Sequence, residues 1–236
     1  MMSAFEGQER MKYTEGFEGP MERQFSPYTD NGGSIVAIGG QGFAVIASDT
    51  RLSSGYSILT REQGKLCSLN KKIILGATGC WCDVLTLTRI VQARIKMYQQ
   101  EHTKDMSVAA VAQMVSVLLY SRRFFPYYVS NVVAGLDENE HGVIYSYDPV
   151  GHCEKEVYHA GGSSGSLLQP LLDSQIGHKN MTEKPTEKLT LEKAIRMVKD
   201  VFTSAAERDI QTGDGVIIRI ITKDGIQEDR YPLRID

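Results

Sequence analysis

Residues 32–51 read GGSIVAIGGQGFAVIASDTR, and this stretch decides the fold. Two β-rich runs, residues 34–38 and 43–48, are separated by four residues of which three are glycines. Glycine adopts the positive φ that a tight reversal requires, so the stretch predicts a β-hairpin. Both runs are apolar at successive positions, which predicts central strands that are covered on both faces. Asp49 and Arg51 follow at the strand end, where loops often place polar groups that carry chemistry.

The rest of the chain alternates groups of strands with pairs of helices. Apolar residues at three- and four-residue spacing predict helices over residues 83–100, 107–120, 166–176 and 191–208. Short β-rich runs fill the intervals, and residues 154–159 are predicted to form one strand. This order indicates an α+β domain in which antiparallel sheets stack face to face between helical layers.

The composition is that of a globular protein without a strong charge bias. The chain has 236 residues, with 42% hydrophobic and 23% charged, which is enough for a sizeable core. Its net charge of −3 lies in the first 33 residues, which carry six acidic and three basic side chains. The balanced remainder gives no electrostatic case for nucleic acid or for an anionic membrane. No apolar run is long enough to span a membrane, so we expect neither kind of partner.

The cysteines and histidines predict neither a disulfide framework nor a metal centre. The four cysteines lack the two-residue spacer of zinc sites, and the five histidines lack metal-ligand spacing. Unpaired cysteines are typical of reducing compartments, and the N-terminus lacks the pattern of a secretory signal. We therefore expect no metal, no cofactor, and a cytoplasmic and nuclear location.

The first 31 residues differ from the rest in composition. Residues 1–31 are polar and rich in glycine, without periodicity, which predicts an N-terminal extension or propeptide ahead of a domain over residues 32–236. Within the extension, Phe25 to Tyr28 contains the best candidates for ordered contact.

Residues 121–128 read SRRFFPYY and allow two interpretations. Basic residues beside aromatic ones can stack on nucleic acid, whereas arginine and tyrosine are also enriched at protein–protein contacts. Two arginines form only a small patch, and Pro126 ends the preceding helix. We therefore favour packing or contact with another protein chain.

The stretch at residues 32–51 resembles the start of proteasome β subunits, a family of N-terminal nucleophile (Ntn) hydrolases. Active members begin, after self-cleavage, with a threonine whose hydroxyl is the nucleophile and whose α-amine is the base. Two apolar strands and Asp-Ser-Arg follow that threonine, as two apolar runs and Asp49-Thr50-Arg51 do here. The resemblance implies a four-layer αββα sandwich, in which two antiparallel sheets are flanked by helix pairs.

The spacing of the family places its nucleophile at a glycine of this chain. The family's threonine precedes the aspartate by sixteen residues and a lysine by thirty-two, and from Asp49 and Lys65 both counts lead to Gly33. Glycine has no hydroxyl, so the reaction cannot begin there. One alternative stays open, because cleavage before Ser34 would expose an N-terminal serine. Its spacing is short by one residue, which turns a strand side chain to the opposite face unless the strand carries a bulge.

Other residues match the family's active site one by one. Asp49 matches the aspartate that pairs with the lysine, Lys65 matches that lysine, and Gly79 matches a glycine whose N–H joins the oxyanion hole. Asp49 and Lys65 are equally explained as a buried ion pair, and Gly79 as a turn glycine. A supporting group stabilises a charge that must first form, and Gly33 forms none. We therefore favour the structural interpretations.

Three further residues match the groups near the family's nucleophilic amine. Ser164 matches a serine, and Asp209 and Thr212 match the acid and the hydroxyl residue that complete the support. Serines also occupy positions 163 and 166, so the register in that loop stays open. Asp209 is equally explained as a loop or helix-end acid.

The resemblance implies a non-catalytic, structural β subunit of the 20S proteasome, with contacts to other β subunits in its own ring and across the ring interface, and to α subunits. Two rival hypotheses remain. One is an active amide hydrolase that uses Ser34 after processing, and the other is a stand-alone hydrolase or binding module of the same fold.

Overall fold

The computed structural model describes residues 26–182 and 188–236. The described part forms two five-stranded sheets, a two-stranded ribbon and four helices. The helices are α1 (Trp81–His102), α2 (Val108–Tyr120), α3 (Gly165–Gln175) and α4 (Leu191–Ala206). The strands are β1 (Ser34–Gly40), β2 (Phe43–Asp49), β3 (Leu52–Ser54), β4 (Ser57–Thr60), β5 (Leu66–Ser68), β6 (Ile73–Gly79), β7 (Val129–Leu136), β8 (Gly142–Tyr147), β9 (Cys153–Glu156), β10 (Tyr158–Gly162), β11 (Gly215–Thr222) and β12 (Gly225–Pro232).

The predicted hairpin lies inside the first sheet. The strand order of this sheet is β10-β1-β2-β11-β12, and every neighbouring pair is antiparallel. Gly40 pairs with Phe43, so the turn consists of Gln41 and Gly42, and Gly42 has a φ of +84°. The glycine pattern therefore predicted this turn correctly.

The second sheet has the order β5-β6-β7-β8-β9 and is also antiparallel throughout. Its inner face packs on the first sheet, because alternate residues of each strand point between the sheets. Ile35 and Ile46 from the first sheet meet Ile74 and Val132 from the second in one buried cluster. The remaining strands, β3 and β4, form a separate ribbon.

Helices cover the outer face of each sheet. Val36 and Val45 of the first sheet pack with Val198 and Phe202 of α4. On the other side, α1 and α2 pack on the second sheet through residues such as Leu87. The layers therefore follow the order helix, sheet, sheet, helix, and the prediction of an α+β four-layer αββα sandwich is confirmed.

Two predicted caps start helices in the structure. The Ser107 hydroxyl accepts a hydrogen bond from the Ala110 N–H (3.3 Å) at the start of α2. The Thr190 hydroxyl accepts one from the Lys193 N–H (3.3 Å) at the start of α4. Each cap satisfies a backbone donor that the first turn of a helix leaves unpaired.

The prediction of one strand over residues 154–159 was wrong. Two strands occupy this region, and they belong to different sheets: β9 pairs with β8, and β10 pairs with β1. The chain changes sheet at Val157, whose carbonyl accepts a hydrogen bond from the Gly39 N–H (2.6 Å). Both halves are locally β-rich, but β9 pairs with the nearby β8, whereas β10 pairs with β1, more than a hundred residues away.

Candidate functional site

The predicted site lies at one end of the sandwich, where β1 begins and β2 ends. Gly33 immediately precedes β1, Asp49 is the last residue of β2, and Lys65 immediately precedes β5 of the second sheet. The Lys65 ammonium nitrogen lies 3.0 Å from the Asp49 Oδ1 oxygen, and both side chains are completely buried. The fold therefore brings the predicted acid–lysine pair together.

All three protons of the Lys65 ammonium have acceptors, which are one carboxylate oxygen and two backbone carbonyls. Nζ donates to Asp49 Oδ1 (3.0 Å), to the Asp49 carbonyl (3.1 Å) and to the Arg51 carbonyl (2.6 Å). Burial lowers the pKa of the Lys65 ammonium and raises the pKa of the Asp49 carboxyl, because each charge has lost its water. The contact between the two groups opposes both shifts, so each charge depends on its partner.

Gly33 faces Lys65, as the spacing predicted. A Cβ atom built on Gly33 would lie 2.9 Å from Lys65 Cδ and 3.0 Å from Lys65 Nζ, which is closer than unbonded atoms normally approach. Gly33 also has a φ of +93°, in the region that favours glycine. Both the packing against Lys65 and the backbone angle therefore favour glycine at position 33.

Ser34 directs its side chain away from the acid–lysine pair. Its hydroxyl oxygen accepts from the Ser164 N–H (3.1 Å), lies 2.8 Å from the Thr212 hydroxyl, and is hydrogen-bonded to the Ser164 hydroxyl. Its backbone N–H, by contrast, donates to Asp49 Oδ1 (2.8 Å). The pairing of β1 with both neighbours proceeds without a register shift, so no bulge turns Ser34 toward Lys65.

Asp209 anchors the hydroxyl network around Ser34. Its Oδ2 oxygen accepts from the hydroxyls of Thr212 (2.7 Å) and Ser163 (2.6 Å). The matched residues therefore fall into two groups: Ser164, Thr212 and Asp209 surround Ser34, whereas Asp49 and Lys65 lie beside Gly33. Both Ser163 and Ser164 take part, so the uncertainty of register does not matter for the network.

Gly79 lies at the end of β6 and has a φ of +106°. A Cβ atom on it would lie 2.7 Å from the Tyr128 carbonyl oxygen. The backbone angle and the close approach each require glycine, so the turn alone explains this residue. The Gly79 carbonyl accepts a hydrogen bond from the Asn31 N–H (3.1 Å).

Asn31 is a site residue that sequence reasoning missed. Its side-chain amide donates to the Ser53 carbonyl (3.0 Å), and its side-chain oxygen accepts from the Trp81 N–H (2.9 Å). Its own carbonyl accepts from the Ser53 N–H (3.3 Å). Asn31 is therefore buried between the ribbon and the start of α1, although it belongs to a polar segment that looks like an extension.

Residues 26–33, here called the N-terminal strap, are thus fixed to the body. Tyr28 is a second anchor, because its hydroxyl donates to the Pro126 carbonyl (2.7 Å) and its ring packs against Phe125 and Tyr128. Phe25 and the earlier part of the predicted extension lie outside the described residues. The sequence singles out Phe25 to Tyr28 for ordered contact, and Tyr28 makes such contacts; Asp30-Asn31-Gly32 is typical of a turn.

A second charged cluster ties the end of the chain to the same region. The Arg51 guanidinium donates to Asp214 (2.8 Å), to Asp236 (2.8 Å) and to the Ile210 carbonyl (2.9 Å). The Arg51 and Arg234 guanidinium groups lower the pKa of the Asp236 carboxyl to about 2. Burial alone would raise the pKa of Asp214, but the hydrogen bonds from arginine hold it below its usual value.

The described ranges, residues 26–182 and 188–236, contain no group of three or more His, Cys, Asp or Glu side chains that is arranged to hold a metal ion. Within the same ranges, no helix combines the length and the apolar character that crossing a bilayer demands.

Comparison with known proteins identifies the family. The family described as "Proteasome subunit" matches residues 29–221, which is most of the chain and includes every matched site residue. The chain belongs to the proteasome subunit family. "Proteasome subunit beta type-1" of Drosophila melanogaster is 58% identical over 214 residues, which cover 90% of this chain and 91% of the relative. The Danio rerio protein of the same name is 52% identical over 220 residues, or 93% of each chain.

More distant relatives extend the same similarity. "Proteasome subunit beta type-6" of Saccharomyces cerevisiae is 43% identical over 232 residues, covering 94% of this chain and 96% of the relative. The predicted resemblance to proteasome β subunits is therefore confirmed, and within the family the chain is similar to subunits named beta type-1. The roles of the individual site residues stay predictions.

Proposed function

We propose that this proteasome-family chain is a non-catalytic, structural β subunit of the 20S proteasome. Its role is to form part of the β ring and the wall of the proteolytic chamber, while other subunits of the complex hydrolyse peptide bonds. The complex acts in protein degradation, and we place this subunit in the cytoplasm and nucleus.

One observation carries the proposal: the position that spacing assigns to the nucleophile is Gly33, and Lys65 fills the space in front of it. Catalysis of this kind needs a hydroxyl at that position and a base to take its proton. Here no hydroxyl is present, and the Lys65 ammonium is fully engaged with Asp49 and two carbonyl groups. The remaining residues of the site then act as structural supports.

The N-terminal strap supports the same proposal. Active members of the family release a free amine at the nucleophile by cleavage, and here Asn31, two residues upstream of Gly33, is fixed to the body by four hydrogen bonds. The peptide bond before Ser34 is held on both sides, because the Gly33 carbonyl accepts from the Ser163 N–H (2.9 Å) and the Ser34 N–H donates to Asp49.

The partners follow from the family. We propose contacts with neighbouring β subunits in the same ring, with β subunits of the opposite ring, and with α subunits. Thirteen large apolar side chains are exposed on the described surface, among them Tyr56, Phe124 and Leu167, which is the pattern expected of a chain that buries much of its surface in an assembly.

The rival hydrolase hypothesis relies on Ser34, whose hydroxyl has several hydrogen-bond partners. Those partners are hydroxyls and an N–H group, and the nearest carboxylate of the network, Asp209, reaches Ser34 only through Ser163 and Thr212. In the rival mechanism the base is the Ser34 α-amine, but here that nitrogen is a peptide N–H that donates to Asp49 Oδ1 (2.8 Å), so this arrangement favours a structural network.

The test uses the native particle that contains the chain. We expect a particle of several hundred kilodaltons that contains other proteasome subunits, and an intact mass that shows no chain beginning at Ser34. A labelled irreversible inhibitor directed at N-terminal threonine should modify other subunits of that particle and leave this chain unlabelled. A chain beginning at Ser34, a label on this chain, or a native mass near that of one chain would each contradict the proposal.

A further inference from the structure

A prominent apolar projection lies where α2 ends and the chain turns toward β7. This surface, here called the aromatic corner, consists of Tyr120, Arg122, Arg123, Phe124 and Phe125. The side chain of Phe124 is 99% exposed, and those of Tyr120 and Phe125 are 64% and 60% exposed. Monomeric proteins rarely expose several large apolar side chains together, and such patches typically mark binding surfaces.

The corner is rigid rather than a loose loop. The N–H groups of Arg122, Arg123 and Phe125 donate to the carbonyls of Leu119, Tyr120 and Arg122, respectively, at 3.0–3.1 Å. Behind the corner, Tyr28 of the N-terminal strap packs on Phe125 with a centroid separation of 5.8 Å. A surface that is ordered before binding loses little conformational entropy when a partner docks.

A notch beside the corner has a volume of about 250 Å³ and is lined by Tyr28, Cys82, Asp83 and Phe125, among others. Asp83 is the carboxylate of this lining, and it accepts a hydrogen bond from the Tyr128 N–H (2.9 Å). The notch and the projecting Phe124 together make the surface uneven, so that a protein surface of complementary shape can fit it.

The two arginines define the charge of a partner. Among the described residues, no carboxylate lies within ion-pair distance of Arg122 or Arg123, and the Arg122 guanidinium lies over the Tyr127 ring, 5.9 Å from its centroid. Two unpaired guanidinium groups beside an apolar knob favour a partner with an apolar hollow and an acidic rim.

We propose that the aromatic corner is the docking surface for another proteasome subunit, which accepts Phe124 in an apolar hollow and presents carboxylates to Arg122 and Arg123. This inference depends on the proposed function, because it needs the chain to be part of the particle. The occupant is a folded protein surface rather than nucleic acid, since the group at the centre of the corner is an apolar side chain and the chain as a whole is not basic.

The first experiment identifies the neighbour directly. A photo-crosslinking phenylalanine analogue replaces Phe124 in the full chain, native particles are purified, and crosslinked peptides are identified by mass spectrometry after irradiation. We expect one dominant adduct, to another proteasome subunit and within a few residues of Asp or Glu. The same analogue at Tyr56, a 97% exposed aromatic residue on the β3–β4 ribbon, is the control and should give a different set of adducts.

The outcomes separate this inference from the proposed function. If the chain is in the particle but position 124 gives no adduct, or links to its own chain or to nucleic acid, the docking surface is wrong and the proposed function stands. If the chain is absent from the particle, both fail.

The second experiment tests how much the aromatic corner contributes to incorporation of the chain into the particle. Phe124→Ala, and the double variant Arg122→Glu with Arg123→Glu, should each lower incorporation into particles by about tenfold in competition with the unaltered chain, as expected for the loss of an interface anchor. Phe124→Ala should leave the unfolding midpoint of the purified chain unchanged, because the side chain is exposed. Lysine placed at the crosslinked carboxylates should rescue the arginine variant. Normal incorporation of both variants would overturn the inference.

Discussion

The side chain of Lys65 occupies the space into which a side chain on Gly33 would project. A Cβ atom on Gly33 would lie 2.9 Å from Lys65 Cδ, and three hydrogen bonds hold the ammonium in place. The two positions are therefore neighbours, and Lys65 fills the space that a side chain at position 33 would need. This relationship leads to the first two predictions.

Substitution of Gly33 by alanine should destabilise the chain more than the same substitution at Gly42. Both glycines have positive φ, +93° and +84°, but nothing lies within 4 Å of a Cβ on Gly42. Gly42→Ala should therefore cost about 1–2 kcal/mol of unfolding free energy for backbone strain alone. Gly33→Ala should add roughly 1–3 kcal/mol for overpacking against Lys65. Urea unfolding measures both, and equal losses would show that Lys65 moves aside freely.

Threonine at position 33 should not restore catalysis. The ammonium that would assist it is engaged with Asp49 and two carbonyls, and the strap holds the upstream chain in place. Particles that carry Gly33→Thr should contain an uncleaved chain by intact mass, and this chain should not react with a threonine-directed inhibitor. An active subunit of the same particle is the positive control, and a labelled variant would refute the prediction.

The Asp49–Lys65 pair should behave as one unit. Lys65→Met leaves a buried carboxylate without its cation and should cost about 3–5 kcal/mol of unfolding free energy. Asp49→Asn in the same chain removes that charge while keeping a side-chain oxygen for the Ser34 N–H. The double variant should therefore be less destabilised than the sum of the single variants, by roughly 0.5–3 kcal/mol. Strict additivity in a denaturant double-mutant cycle would contradict this.

Asn31 should control the exchange of the N-terminal strap. Asn31→Ala removes the hydrogen bonds to the Ser53 carbonyl and from the Trp81 N–H, and should cost about 1–3 kcal/mol. Hydrogen exchange should then accelerate over residues 26–33 and at the Trp81 amide. Asn31→Asp keeps the acceptor for Trp81 but loses the donor to Ser53, so Trp81 should stay better protected than in Asn31→Ala. Unchanged exchange in both variants would exclude a role for this side chain.

The carboxylate of Asp236 should stabilise the chain in a defined pH range. Its pKa is lowered from 3.8 to about 2 by hydrogen bonds from Arg51 and Arg234. A carboxyl whose folded pKa is depressed contributes stability that is present above pH 3.8 and disappears as the pH falls through about 2.

Asp236→Asn should therefore be less stable than the unaltered chain at neutral pH, and the difference should vanish toward pH 2. Urea unfolding at a series of pH values measures it. A difference that does not change across this range would mean that the ionised form is not what stabilises the chain.

The sequence was sufficient to predict the layers because their signals are local. Continuous apolar runs in the 34–48 hairpin, buried on both faces, and capped amphipathic helices such as α2 and α4 follow from short-range rules. The assignment of residues 154–159 failed because both halves are locally β-rich, while β9 pairs with the nearby β8 and β10 pairs with β1, more than a hundred residues away. A local window of sequence does not contain the pairing of β10 with β1.

The polar pairs of the site were predictable from the sequence, but the burial of Asn31 was not. Counting along the chain placed Gly33 opposite Lys65, and the one-residue offset of Ser34 predicted its different side-chain direction. The burial of Asn31 was not predictable, because it depends on Ser53 and Trp81, which lie 22 and 50 residues away. Polar side chains buried by long-range contacts look like loop residues when only their neighbours in sequence are considered.

The strand order of the first sheet has a consequence for biosynthesis. The central hairpin, β1 and β2, leaves the ribosome well before its outer neighbours β10 and β11, which end at Gly162 and Thr222. Non-local pairing of this kind folds slowly and leaves apolar edges unprotected meanwhile. The chain must be synthesised through Thr222 before both edges close, so the nascent polypeptide needs protection against aggregation until then.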